Sequence, residues 1–279
     1  MSDFRAPALQ EEWALREGRL AAARAKIAAL EAGGRGDLGV LPFGDRAIDD
    51  CLPGGGLPLG RWHEITGTGM EIETAAAPAA FTALLAAPLA RRGEVVWVLR
   101  RDDLWAPGLA GLGLPPERLI CVCARDEAEA LAVMEDALAT VGVAAVVGEV
   151  EAADLTAGRR LQLACEKQAA TGFLIRRRPY GGLARKEATG SAAATRWRVG
   201  SAPSEPPAGE FGLGAPRFQV ELERCRGGRP GAWLLEATGA YEERGAYDED
   251  EDHGTHPLRL VAELGDRELA PALPLRLAG

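Results

Sequence analysis

At 279 residues and 47% apolar content, the chain can build one medium domain with appendages around a large core. Aromatics make up only 5%, so Ala, Leu and Val must fill most of that core, and a formal charge of -9 excludes a protein that holds nucleic acid by bulk charge. No apolar run suits a membrane helix and the N-terminus lacks a secretory layout, so the expectation is a cytoplasmic protein with no membrane contact.

Residues 8–31 have the pattern of an amphipathic helix. Trp13, Leu20 and Ile27 recur at sevens, Ala23 and Leu30 flank the same stripe, and Glu11, Glu12, Arg16, Arg19, Arg24 and Lys26 form the outer face. The break Gly33-Gly34-Arg35-Gly36 separates this helix from the remainder of the chain. Two readings stand: the helix packs back on its own core, or Trp13, Leu20, Ile27 and Leu30 dock on another protein or a second copy.

Gly54-Gly55-Gly56-Leu57-Pro58-Leu59-Gly60 is a glycine turn, Arg61–Thr66 a strand, and Gly67 opens a loop that feeds a helix. This is the framework of a phosphate-binding loop. Such a loop ends in Gly-Lys-Ser/Thr, because glycine lets amides approach phosphate, lysine neutralises it and the hydroxyl holds magnesium. Here the run is Gly67-Thr68-Gly69-Met70-Glu71-Ile72-Glu73-Thr74, with Ile72 at the glycine position and Glu73 at the lysine position. Glu71 and Glu73 would repel a polyphosphate, whereas both suit the positive end of a helix dipole. The expectation is an ATPase-shaped domain that does not use ATP, with no catalytic residue, cofactor or metal.

From Leu41 to Leu235 strands and helices alternate. The expected strands are Arg61–Thr66, Val95–Leu99, Leu119–Val122, Val143–Val147 and Gly172–Ile175, and the expected helices are Thr74–Ala90, Glu127–Thr140 and Ala157–Thr171. Short apolar strands alternating with helices predict a mostly parallel α/β sheet covered on both faces. Thr195–Gly200, Arg217–Arg224 and Ala232–Glu236 read as antiparallel strands at the C-terminal edge, with a Pro/Gly-rich loop at Ala202–Pro216. The run Asp248-Glu249-Asp250-Glu251-Asp252 predicts a solvated, partly disordered tail. Cys51, Cys121, Cys123, Cys165 and Cys225 are expected to be buried reduced thiols, Cys121 and Cys123 sharing one strand face. His63 reads as a satisfied structural histidine, and His253 and His256 as solvated residues.

Leu41-Pro42-Phe43-Gly44, Ala47-Ile48-Asp49 and Gly54 through Arg61 together resemble the opening of the RecA recombinase core. More closely, the chain resembles the ImuA family, RecA-related accessory proteins of bacterial damage-induced mutagenesis. That resemblance rests on the altered phosphate loop, on Phe173-Leu174-Ile175-Arg176-Arg177-Arg178-Pro179, on Ala194-Thr195-Arg196-Trp197-Arg198-Val199, and on Pro216 through Gly228. It spans residues 38–236 and implies three parts: an N-terminal helix and tether (1–37), a RecA-like core (38–237) and an acidic tail (238–279).

The departures from RecA agree with one another. The acidic residue expected after Val95–Leu99 falls near Arg100 or Arg101, the magnesium-supporting aspartate after Val143–Val147 near Gly148 or Glu149, and the polar sensor near Arg176 or Arg177. Phosphoryl transfer depends on the placement of these charges. In a RecA-like domain the loops after the later core strands face single-stranded DNA. Here Arg176, Arg177, Arg178, Tyr180, Arg185, Lys186, Arg196, Trp197 and Arg198 combine cations with aromatics that could stack on bases. The same segment reads equally as a solvated loop or one paired with the acidic tail. The resemblance implies a non-catalytic scaffold in SOS-induced error-prone translesion synthesis. Its partners would be an ImuB-like Y-family polymerase homologue, an error-prone DNA polymerase, and RecA or its filament. Two rivals are a SulA-type cell-division inhibitor, which also lacks the phosphate loop, and a DNA-dependent ATPase.

Overall fold

Runs of valine with few polar interruptions build the centre of the molecule. Val95 through Leu99 and Ala145 through Val150 are buried on both faces, which only an interior strand of a covered sheet achieves. The computed structural model describes residues 39–69, 76–177, 191–206, 209, 211–238 and 257–264. The chain divides after Leu38, and all of these residues lie in the unit beginning at Gly39.

A two-stranded antiparallel ribbon, β1 (Val40–Leu41) with β2 (Leu57–Pro58), brackets a short helix α1 (Arg46–Asp49). There follow β3 (Trp62–Gly67), α2 (Ala76–Ala86), β4 (Glu94–Leu99), α3 (Ala106–Ala110), β5 (Leu119–Cys123), α4 (Glu127–Leu138), β6 (Val143–Val150), α5 (Leu155–Gln168) and β7 (Thr171–Arg176). Next come β8 (Thr195–Ala202), β9 (Arg217–Cys225), β10 (Gly231–Ala237) and β11 (Leu258–Glu263). The large sheet has nine strands in the order β11-β10-β9-β8-β3-β7-β6-β4-β5. From β8 to β5 neighbours are parallel, and β9, β10 and β11 add antiparallel strands at one edge.

Strand alternation sends two sets of side chains to opposite faces. On the α4–α5 face Trp62, Val96, Val98, Val146, Val150 and Leu174 pack against Met134, Leu138, Leu161 and Cys165. Gly148 lets α4 approach, since a Cβ there would lie 2.0 Å from Met134 Sδ. On the α2 face Phe43, Phe81, Trp197, Phe218 and Trp233 form an aromatic group with centroid spacings of 5.9–6.3 Å. Each such fully buried side chain contributes about 1.5–3 kcal/mol of transfer free energy.

The expected strands and the helices that pack on them are present, with shifted ends. Thr74–Ala90 is described from Ala76 and gives way after Ala86 to a 3₁₀ turn at Leu89–Arg91. Thr195–Ala202 is antiparallel to β9 as expected, but parallel to β3 on its other side. The segment after 237, read from sequence as tail, includes β11, which pairs with β10 from Trp233↔Glu263 to Ala237↔Leu258. Leu258, 3% exposed, anchors it. The acidic run, and the predicted N-terminal helix with Trp13, Leu20, Ile27 and Leu30, lie outside the described residues.

Three thiols differ from the expected burial, Cys225 being half-buried and two others exposed. Cys51 and Cys165 are buried, with burial pushing Cys165 up to about 12, but Cys121 and Cys123 are exposed. They do share a face, in register with Trp97 and Leu99. Their strand β5 is the sheet edge, and α4 covers only the other face, where Val122 packs.

Candidate functional site

Parallel strands end together, so β3, β4, β6 and β7 deliver their following residues to one end of the sheet, where open α/β sheets bind ligands. After β4 the chain reads Arg100-Arg101-Asp102-Asp103; β6 contributes Glu149, and Arg177 follows β7. Three of these residues join. The Glu149 carboxylate, 1% exposed, accepts Trp97 Nε1–H at 3.1 Å on one oxygen and Arg177 Nη1–H at 2.7 Å on the other. The same guanidinium grips Asp103 through both nitrogens, Nη1 to Oδ1 at 2.9 Å and Nη2 to Oδ2 at 2.6 Å. The Arg177 backbone N–H donates to Val150 O at 2.9 Å, which fixes the stem of the side chain. Burial pushes the Glu149 carboxyl up, and Arg177 and Trp97 pull it back. Burial opposes the Arg177 charge too, but Asp103 and Glu149 more than offset it and raise the guanidinium above its usual range. Forked, charge-assisted bonds of this kind are strong and geometrically specific.

A second cluster lies on the α4–α5 face. Glu64, 7% exposed, sits between Arg176 Nη1 at 3.6 Å and Arg196 Nε at 3.3 Å. Arg176 Nε also donates to Glu151 O at 3.2 Å. Arg198, on the same face of β8, pairs with Glu221 and Glu223. All four arginines of the candidate loop that are described therefore face carboxylates of their own chain.

Trp197 is corrected: it is 0% exposed and its ring lies against Phe43, Phe81 and Trp233, so it offers no face to a base. The reason is strand alternation, which sends Arg196 and Arg198 outward and Trp197 inward. Its Nε1–H donates to Thr195 Oγ1 at 2.6 Å. Arg178, Tyr180, Arg185 and Lys186 lie outside the described residues.

Of the altered phosphate loop, Gly67 and Gly69 are described, while Glu71, Ile72, Glu73 and Thr74 are not. Its start is stitched to β8. Thr68 N–H donates to Val199 O at 3.1 Å, and a Cβ on Gly200 would meet Thr68 Oγ1 at 2.3 Å. His63 is a buried, satisfied histidine: Nε2 contacts Pro58 O at 2.9 Å and Nδ1 contacts Thr195 Oγ1 at 2.7 Å. Among the described residues no cluster could hold a metal ion, and no helix is long and apolar enough to cross a membrane. Sequence reasoning marks Glu149 and Arg177 as alternatives but misses Asp103 and Glu64. Glu64 lies two residues after buried Trp62 in the same strand and so shares its inward face, which is the available signal for Glu64; nothing local signals Asp103, whose partner is 74 residues away.

These features define an α/β domain with a mostly parallel sheet, antiparallel strands at one edge and a self-paired charge cluster at the carboxyl end of the sheet. Protein ImuA of Caulobacter vibrioides, from strains NA1000 / CB15N and ATCC 19089 / CIP 103742 / CB 15, is 57% identical over 248 residues, covering 87% of this chain and 97% of that protein. The chain belongs to the ImuA family. No family model matches it. The crystal structure of SulA from Pseudomonas aeruginosa aligns with a TM-score of 0.36 at 23% identity, over 41% of this chain and 96% of that one.

Proposed function

We propose that this chain is a non-catalytic RecA-like scaffold of damage-induced mutagenesis, acting by contact in error-prone translesion DNA synthesis. Membership of the ImuA family supports the biological role. The observation that carries the non-catalytic reading is the Arg177–Glu149–Asp103 cluster. A nucleotide site needs carboxylates free to hold magnesium and a cation free to meet phosphate. Here both Glu149 oxygens accept hydrogen bonds, and Arg177 is committed to two carboxylates. Opening the cluster to admit a metal–triphosphate would leave charges buried without partners. The sequence adds Glu73 at the lysine position of the phosphate-loop pattern, where a carboxylate would repel a polyphosphate.

What remains is a large, rigid sheet that presents surfaces. The partners proposed are an ImuB-like Y-family polymerase homologue, an error-prone DNA polymerase, RecA or its filament, and a second copy of the chain. Single-stranded DNA would be met through Arg178, Tyr180, Arg185 and Lys186. The test combines two measurements. Purified chain should show no magnesium-dependent ATP turnover with or without single-stranded DNA, and deleting its gene should lower damage-induced mutation frequency. Measurable turnover would overturn the non-catalytic reading. Unchanged mutation frequency, or filamentous cells on overexpression, would overturn the role.

A further inference from the structure

Two apolar side chains stand fully in solvent at one point of the surface. Phe211 is 104% exposed and Leu213 is 96% exposed, the highest values for large apolar side chains among the described residues. Both lie in the connection from β8 to β9, and that connection is braced beneath them. Arg217, at its base, pairs with Glu205 at 3.3 Å and with Glu236 at 2.6 Å. The two arms approach so closely that a Cβ on Gly214 would lie 1.9 Å from Glu205 O. Gly212, between the two apolar residues, has a φ of +135°, which a residue with a side chain rarely adopts. The backbone is thus set to hold Phe211 and Leu213 out instead of folding them onto the sheet. Single exposed apolar residues are ordinary, but a braced pair marks a contact surface.

Charge narrows what the pair can meet. From Ala202 to Pro216 the sequence has carboxylates and no lysine or arginine, and Glu205 is 77% exposed. Such a loop has no cation to offer a phosphate, and an anionic membrane repels it. Its complement is a protein surface that is apolar and cationic. Helix α5 carries one. Leu155, Arg159, Leu163 and Lys167 recur every four residues and are all exposed, Leu155 at 52% and Leu163 at 60%. Among the described residues Arg159 and Lys167 have no ion-pair partner, whereas Arg160 beside them pairs with Glu135. The one carboxylate of α5, Glu166, is held by Arg61 at 2.9 Å, so the stripe keeps its positive charge.

Within one chain the two surfaces do not meet, since Phe211 and Leu213 are bare. We propose that Phe211 and Leu213 of one copy pack against Leu155 and Leu163 on α5 of a second copy, with Glu205 toward Arg159 and Lys167. The spacings agree: residues two apart along a chain lie at most about 7 Å from each other, and leucines eight apart on a helix about 12 Å, which leaves room for one apolar side chain between them. The contact rests on the scaffold reading, in which a second copy is one partner, and it supplies the two surfaces that join. Those surfaces differ, so the association is heterologous. One loop on one helix face buries well under about 1,200 Å², the range of weak and transient complexes.

Sedimentation velocity of the full chain over a concentration series should show reversible association. Phe211→Ala with Leu213→Ala, or Leu155→Ser with Leu163→Ser, should each raise the dissociation constant by about ten-fold or more. All four side chains are exposed, so the urea midpoint of either double variant should stay near that of the unsubstituted chain. Mixing the two variants is the decisive step. The first keeps an intact stripe and the second an intact loop, so together they should form a 1:1 complex with the dissociation constant of the unsubstituted chain. A monomer at every concentration, association that survives either double change, or variants that fail to complement each other overturns the proposal; loops pairing with loops, or stripes with stripes, would give that last result. A chain that stays monomeric while deletion of its gene still lowers damage-induced mutation frequency overturns this contact and spares the scaffold. Complementing variants with an unchanged mutation frequency support the contact and overturn the scaffold's role.

Discussion

Arg177 is the residue on which the carboxyl end of the sheet closes, and it is a case where removing one partner costs more than the pair contributes. Its side chain is 16% exposed and that of Glu149 is 1% exposed. Arg177→Met strands the Glu149 carboxylate in the core, which should destabilise the fold by about 3–5 kcal/mol. Adding Glu149→Gln should recover most of that, because the amide oxygen still accepts from Trp97 without a charge. Urea unfolding of the two single variants and the double variant measures the coupling; a cost below about 1 kcal/mol for Arg177→Met would show that the cluster is only a surface pair. His63 gives a pH prediction. A carbonyl only accepts, so Nε2 carries the hydrogen toward Pro58 O, and Nδ1 accepts from the Thr195 hydroxyl, which in turn accepts from Trp197. Burial lowers this imidazole from 6.5 to about 4. Between those values the unfolded chain binds a proton that the folded one refuses. Its contribution is therefore complete above pH 6.5 and is lost as pH falls toward 4, by about 3 kcal/mol. His63→Gln should remove that part of the acid sensitivity, read as a smaller difference in urea midpoint between pH 7.5 and 4.5.

Strand β8 concentrates the contrast between the two faces of the sheet. Trp197→Ala opens a cavity among Phe43, Phe81 and Trp233 and should cost about 3–5 kcal/mol. Arg198→Ala, one residue away, removes the pairs with Glu221 and Glu223, 45% exposed on the arginine side, and should cost less than about 1 kcal/mol. Similar losses for the two, in thermal or urea unfolding, would contradict the alternation. The same strand shows what a sequence can reveal. Uninterrupted apolar runs such as Val95–Leu99 expose buried parallel strands, because only burial on both faces permits them. Arg196-Trp197-Arg198 looks like a basic patch with an aromatic until period-two alternation is applied, and then the tryptophan must point inward. Spacing alone puts Cys121 and Cys123 on one face, but whether that face is covered depends on β5 being an edge, which is a property of strand order and not of local sequence. For the same reason β11 is hidden from a local reading: Leu258-Arg259-Leu260 alternates, but it follows a charged run and finds β10 only through the long-range pairing of Ala237 with Leu258. The Arg177–Asp103 fork joins residues from two separate crossovers, and no spacing rule reaches across them.

At the scale of the whole molecule, charge decides what kind of surface this is. The chain carries a net -9, and Arg177 at the carboxyl end of the sheet, with Arg176, Arg196 and Arg198 on its α4–α5 face, each answers a carboxylate of the same fold. Nucleic-acid affinity comes from cations that are free to replace condensed counterions on phosphates. Arginines already neutralised by buried or neighbouring carboxylates release none, and an acidic body repels the strand at longer range. Trp197 is withdrawn from stacking, so within the candidate segment the remaining source of affinity is the set Arg178, Tyr180, Arg185 and Lys186. The full chain should therefore bind a single-stranded oligonucleotide more weakly than about 10⁻⁶ M at physiological salt, as measured by fluorescence anisotropy. The triple change Arg178→Ala, Arg185→Ala and Lys186→Ala should abolish that binding and flatten its salt dependence. Tight binding that survives the triple change would mean that the paired arginines open toward DNA, and a scaffold working through protein contacts would no longer describe the molecule.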